Sequence, residues 1–206
     1  MTGTSLSVAD RRIAFLSSFA HDVHLGFADA IGADVIDFRS TYGGPGAGTP
    51  VGDAIAGLRW PAYDAFLIEG SAPLYAAAAR RAVDETPVVY LGADRGTYAL
   101  QRASGRTDRD SLLDGVLEAV GPAVLGPVAE RTVDGAMVVS DFVADYTRNL
   151  VGPETPVRVA HPYVSAPVYD ALGSVDPDLA TSNVVTVGRA MEYKGFDRLV
   201  DAWPRV

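Results

Sequence analysis

Apolar residues in this chain recur in two rhythms. Short, nearly continuous runs mark strands buried on both faces, and longer stretches with apolar residues three or four apart mark amphipathic helices. The runs are Arg12 to Phe19, Asp34 to Phe38, Ala65 to Glu69, Pro87 to Gly92, Gly135 to Val139 and Val157 to Ala160. Between the first two lie a polar loop, Ala20 to His24, and a helix expected to stop at Gly32. Glycine and proline fill Ser40 to Pro50, which reads as a loop, and Val51 to Leu58 as a short helix. The alanine-rich PLYAAAARRAVD from Pro73 to Asp84 is a strong helix former. Asp94 to Gly105 reads as an active-site loop running into a helix, and Asp110 to Val120 has helical spacing until Gly121-Pro122 breaks it. Further helices are expected from about Val124 to Val133, and from Ser140, as N-cap, to about Leu150. Tyr163 to Ser182 is rich in Pro, Asp and Ser, with one helical turn at Val168 to Leu172.

Strands alternating with helices imply an α/β fold, a Rossmann-like parallel sheet with helices on both faces. Six strands by Ala160 complete such a domain over residues 1–165, followed by a linker over 166–182. Residues 183–206 then supply one more strand and helix, which cannot bury their own faces. They read as the start of a second Rossmann-like domain, truncated within its first helix.

Composition narrows the chemistry. The 206 residues are 48% hydrophobic, enough for a packed core and too much for a disordered tail. A net charge of −9 argues against nucleic acid and against general adhesion to anionic lipid. Cysteine is absent, which rules out disulfides and thiolate metal sites. No apolar run approaches the roughly 20 residues of a membrane span, and Met1 to Arg12 is unlike a signal peptide. A cytoplasmic protein is expected. The acid is mostly aspartate and lysine is nearly absent, a bias that fits either a salty cell interior or codon usage favouring Arg and Asp.

The first strand runs into Ser17-Ser18-Phe19-Ala20-His21, not into G-x-G-x-x-G, so a hydride-transfer enzyme is disfavoured. The sequence also lacks the phosphate-binding G-x-x-x-x-G-K-[ST] and the hydrolase G-x-S-x-G. His21, Asp22 and His24 have the spacing of a ligand trio, but a solvated loop is the preferred reading and no metal is expected. His161, at a strand end before Pro162, reads as a packed or capping histidine. What survives is the stretch from Val184 to Leu199, a β-branched run, a turn at Gly188 and a helix carrying Phe196, Leu199, Val200 and Trp203. Arg189 and Lys194 lie in that turn, and Lys194 is the sole lysine of the chain. Such a turn lets backbone amides, a guanidinium and an ammonium meet a diphosphate. Two solvated cations beside an ordinary strand and helix are the alternative.

The pattern V-G-R-x-x-x-x-K-G-x-D-x-L-x-x-A, here Val187-Gly188-Arg189 to Lys194-Gly195-Phe196-Asp197-Arg198-Leu199 and Ala202, resembles the opening of the donor domain in family 4 (group 1) glycosyltransferases of GT-B fold. Asp134-Gly135-Ala136-Met137-Val138-Val139-Ser140-Asp141-Phe142 resembles the segment that closes that family's acceptor domain. Pro156-Val157-Arg158-Val159 with His161-Pro162-Tyr163-Val164 resembles the strand and crossover between its domains. The three stand in the family's order over roughly Gly121 to Val206, and the first half matches in pattern only. The resemblance implies a retaining transfer from a nucleotide-diphosphate sugar, without a metal or other cofactor. The acceptor would be a sugar, a lipid or another small molecule, and a lipid acceptor would bring peripheral contact with a membrane. It assigns the donor diphosphate to Gly188, Arg189, Lys194 and Gly195. The family's paired-glutamate motif and nucleotide-base pocket would lie beyond Val206, so this chain alone is expected to bind donor weakly.

Where the family often has a histidine after the fourth strand, this chain reads Tyr90-Leu91-Gly92-Ala93-Asp94. His21, Glu69 and Asp94, at or just past strand ends, are the acceptor-side candidates, with Asp94 and His21 the catalytic ones among them. Capping or loop roles are the alternative for each. The glycine-rich Gly43 to Gly48 reads as a flexible connection, or as an acceptor lid. A non-catalytic module that binds a sugar phosphate, a nucleotide or a protein is the competing function. A sugar-nucleotide epimerase or phosphorylase of the same fold is a third.

Overall fold

The computed structural model describes residues 11–17, 22–43, 49–93, 125–161, 166–175 and 195–203. Strands β1 (Ile13–Ser17), β2 (Asp34–Asp37), β3 (Ala65–Glu69), β4 (Val88–Gly92), β5 (Gly135–Val138) and β6 (Val157–Val159) form one six-stranded sheet. The order is β2-β1-β3-β4-β5-β6, and every neighbouring pair is parallel. Helices α1 (Asp22–Ala30), α2 (Phe38–Tyr42), α3 (Pro50–Gly57), α4 (Ser71–Arg81), α5 (residues 125–132) and α6 (Asp141–Val151) lie between the strands. The expected Rossmann-like α/β sheet is the fold of these residues.

Side chains alternate across each strand, and the two sets belong to separate cores. Ala14, Leu16, Phe66, Ile68, Val88, Tyr90 and Ala136 face α3, α4 and α5, whose Ala56, Leu74, Ala76, Ala77, Leu125 and Ala129 bury them. Ile13, Phe15, Leu67, Val89, Leu91 and Met137 face the other way, where α1 contributes Phe27 and Ala28. Connection handedness explains this split. The step from β1 to β2 runs one way along the sheet and all later steps run the other. Right-handed crossovers therefore put α1 on the face opposite α4. Strand order reverses between β1 and β3, and in open α/β sheets the crevice beyond the carboxyl ends at such a reversal is where ligands bind.

Four expectations need correction. Phe38 does not end β2: the Asp37 side chain accepts hydrogen bonds from the Arg39 and Ser40 amides, which starts α2 and turns Phe38 into the core. Residues up to Tyr42 of the expected Ser40–Pro50 loop are therefore helical. The Ala20–His24 loop ends early, because α1 begins at Asp22 and includes His24. In the expected linker, the single turn at Val168–Leu172 is an eight-residue helix, α7 (Ala166–Gly173). The chain falls into two compact units, Met1–Ser165 and Ala166–Val206, and the second holds α7 and α8 (Phe196–Ala202). The Asp94–Gly105 loop, the Asp110–Val120 helix and the Val184–Val187 strand lie outside the described residues.

Candidate functional site

β1 and β3 pair in register so that their last residues, Ser17 and Glu69, stand side by side. Both occupy the alternation that faces α1. The first turn of α1 brings His24 over the same point, its ring edge-on to Phe15 at a centroid distance of 6.4 Å. The Ser17 hydroxyl donates to Glu69 Oε2 at 2.7 Å, and His24 Nδ1 lies 3.1 Å from the same oxygen. An ionised carboxylate only accepts, so Nδ1 carries the hydrogen in this pair. Ser17 and His24 are buried, at 1% and 7% exposure, while the Glu69 side chain keeps 17%. Two donors thus converge on Oε2, and Oε1 takes no hydrogen bond among the described residues. Ser17 donates to the carboxylate and not to the imidazole, so the three do not form a nucleophile–base relay.

Glu69 is followed by Gly70, the N-cap of α4, at φ 91°. That left-handed-side conformation favours glycine, and a Cβ there would meet nothing within 4 Å. Gly70 has no side chain to cap the helix, and the opening amides, at Ser71 and Ala72, begin one residue beyond the carboxylate. Pro73 in the same turn has no N–H to satisfy.

The remaining candidates distribute as follows. His21, Asp94, Gly188, Arg189 and Lys194 lie outside the described residues. Gly195 is the N-cap of α8, at φ 70°. His161 is exposed, with Nδ1 3.3 Å from the Val139 carbonyl. Of the glycine-rich segment only Gly43 is described. Its flanks are joined by Arg39, 3.6 Å from the buried Asp53 carboxylate. Burial and then the Asp53 charge raise the Tyr75 hydroxyl above its ordinary value. Among the described residues no three His, Cys, Asp or Glu side chains converge as a metal site. No helix among them is long and apolar enough to cross a membrane.

The sequence pointed to Glu69 and missed both of its partners. His24 is not a solvated loop residue: it is a buried helical one, tied to a carboxylate 45 positions away. The available signal was Ser17, a hydroxyl closing an otherwise apolar run at the position that registers with Glu69. No family model, curated protein or solved structure matches the chain.

Proposed function

We propose that this chain carries the acceptor side, and the opening of the donor side, of a retaining glycosyltransferase that uses a nucleotide-diphosphate sugar. The observation that carries the reading is the Glu69 carboxylate, fixed by Ser17 and His24 at the strand-order reversal. That is where an α/β sheet offers a ligand site. The resemblance of Val187 to Ala202 to a donor-domain opening supplies the donor half of the argument. In this reading Glu69 Oε1 receives a hydrogen bond from the acceptor, while Arg189 and Lys194 meet the donor diphosphate. Charge grows on the diphosphate as the glycosidic bond breaks, so fixed cations there favour the transition state over the ground state.

Lys194 makes the donor half directly testable, because it is the only ε-amine in the chain. Amine acylation followed by peptide mass analysis reads its reactivity without interference. UDP, GDP or ADP at millimolar concentration should slow labelling of Lys194 at least threefold, and the matching nucleosides should not. Arg189→Ala should abolish that protection. In the native gene product the same variant should lower acceptor-dependent release of nucleoside diphosphate on the order of a hundredfold. Labelling indifferent to every nucleoside diphosphate would overturn the donor assignment. Tight protection with no sugar transfer by the native gene product would favour a binding module.

A further inference from the structure

We infer that Trp60, Phe66 and Tyr63 form a path that carries one-electron oxidation out of the core to the surface. The three belong to the core on the α3 and α4 face of the sheet, and the inference does not depend on the glycosyltransferase reading. The chain has no cysteine, so tryptophan and tyrosine are the side chains that give up one electron most readily. Trp60 is buried, at 3% exposure, and its Nε1 has no hydrogen-bond partner among the described residues. An oxidised indole ordinarily sheds its N–H proton to a neighbouring base. A ring face can attract this N–H but cannot take its proton. A Trp60 radical cation therefore keeps its charge and stays a strong oxidant, which gives the orphaned donor a redox role.

Tyr63 is placed to supply the missing electron. The Phe66 ring lies 4.5 Å from that of Trp60 and 5.8 Å from that of Tyr63, centre to centre, so one ring bridges the two. The Tyr63 hydroxyl donates to Asp34 Oδ2 at 3.0 Å. Burial, and then the Asp34 carboxylate, hold that hydroxyl above its ordinary value, so its electron leaves together with a proton. The Arg12 guanidinium, 4.5 Å from the Tyr63 ring centre, opposes a positive charge there. Asp34 offsets it, 3.7 Å away. Tyr42 is the rival donor, its ring 6.4 Å from that of Trp60, but its hydroxyl has no acceptor among the described residues to take the proton. In the full sequence a carbonate radical takes one electron from Trp60 and is reduced to carbonate. Trp60 regains an electron from Tyr63 through Phe66, while the phenol proton passes to Asp34 Oδ2. A soluble reductant such as ascorbate then returns a hydrogen atom to the Tyr63 oxygen and becomes a radical itself, and Asp34 releases its proton to water.

The test is laser photo-ionisation of the full chain carrying Trp203→Phe, which leaves Trp60 as the sole indole. Hexaamminecobalt(III) takes up the ejected electron, and transient absorption follows the radicals. The tryptophan radical should decay as a tyrosyl radical rises. Tyr63→Phe should slow that decay at least tenfold and abolish the rise, and Asp34→Asn should slow it about threefold. Tyr42→Phe should change it less than twofold. Rings that only pack would alter stability in these variants and leave the rate alone. The conversion in the parent chain stands as a test even if a variant fails to fold. The inference falls if the tryptophan radical decays with no tyrosyl radical, if Tyr63→Phe or Asp34→Asn leaves the decay unchanged, or if Tyr42→Phe slows it as much as Tyr63→Phe.

Discussion

If the Ser17–Glu69–His24 cluster serves a ligand and not the fold, deleting it whole should harm stability less than deleting its centre. Glu69→Ala removes the acceptor shared by the Ser17 hydroxyl and His24 Nδ1, at sites 1% and 7% exposed. A hydrogen bond to a charged group contributes about 1.5–3 kcal/mol, and orphaning a buried partner costs a similar amount. With part of the carboxylate still in water, about 3 kcal/mol is the expected loss for the single variant. The triple variant Ser17→Ala/His24→Leu/Glu69→Met removes donors and acceptor together. Its new side chains meet Phe15, Leu67 and Leu91, already the apolar core on this face. Leucine also suits the helix better than histidine. Replacing a buried polar group by apolar residues of similar volume is often neutral or stabilising, so the triple should lie within about 1 kcal/mol of the parent. Urea unfolding at constant m-value reads both numbers. A triple variant as unstable as Glu69→Ala would refute the reasoning, because it would make the polar cluster a requirement of the fold itself.

Two further predictions concern the frame around the site. At Gly57→Ala the new Cβ would sit 1.9 Å from the Ala76 carbonyl oxygen and 2.7 Å from its Cα, so α3 and α4 must part. Urea unfolding should show a loss of about 2–3 kcal/mol, and a loss below about 0.5 kcal/mol would show that the helices do not pack this closely. Burial pushes the Asp84 carboxyl up, but hydrogen bonds from Thr86 and the Arg80 guanidinium outweigh it and hold the group below its ordinary 3.8. The native group thus gives up its proton more readily than the unfolded one, so its stabilisation is full above pH 3.8 and fades as pH falls through the native value. Asp84→Asn should lower stability at neutral pH and flatten the acid limb of a stability–pH curve. An acid limb as steep as the parent's would count against it.

The strands were legible because a parallel sheet covered on both faces needs continuous apolar runs, and IAFLS, AFLIE, VVYLG and GAMV supply them. Boundaries slipped where a polar side chain competed with the ladder. Asp37 is the clearest case, since its carboxylate caps the next helix and ends β2 before Phe38. The site was half legible for a different reason. Glu69 stands at the end of an unmistakable strand, whereas the burial of His24 depends on a partner in another βα unit. Local pattern around HDVH, three polar residues to one valine, reads as solvent-facing. Only the Ser17–Glu69 register, set by pairing of β1 with β3, shows that a carboxylate waits beneath it.

That register also divides the labour between the two ends of the sheet. Three arginines of the first unit form ion pairs at the amino ends of the strands. Arg81 makes a bidentate clamp on Asp134, whose carboxylate also accepts from the Val88 amide, so β4 and β5 start in fixed register. Arg80 holds Asp84 and the Trp60 carbonyl, and Arg12 reaches Asp64 and Asp34 beside Tyr63. Each joins segments that would otherwise separate as the strands enter the sheet. At the carboxyl ends of β1 and β3 the polar chemistry is of another kind: a cluster gathered onto one carboxylate oxygen, beside the start of α4. Clamps at one end fix the strands, and at the other end the Glu69 carboxylate takes its hydrogen bonds among the described residues on one oxygen. The fold should therefore lose little if the cluster goes, which is why its removal, and not its mere presence, discriminates between a binding site and a piece of the scaffold.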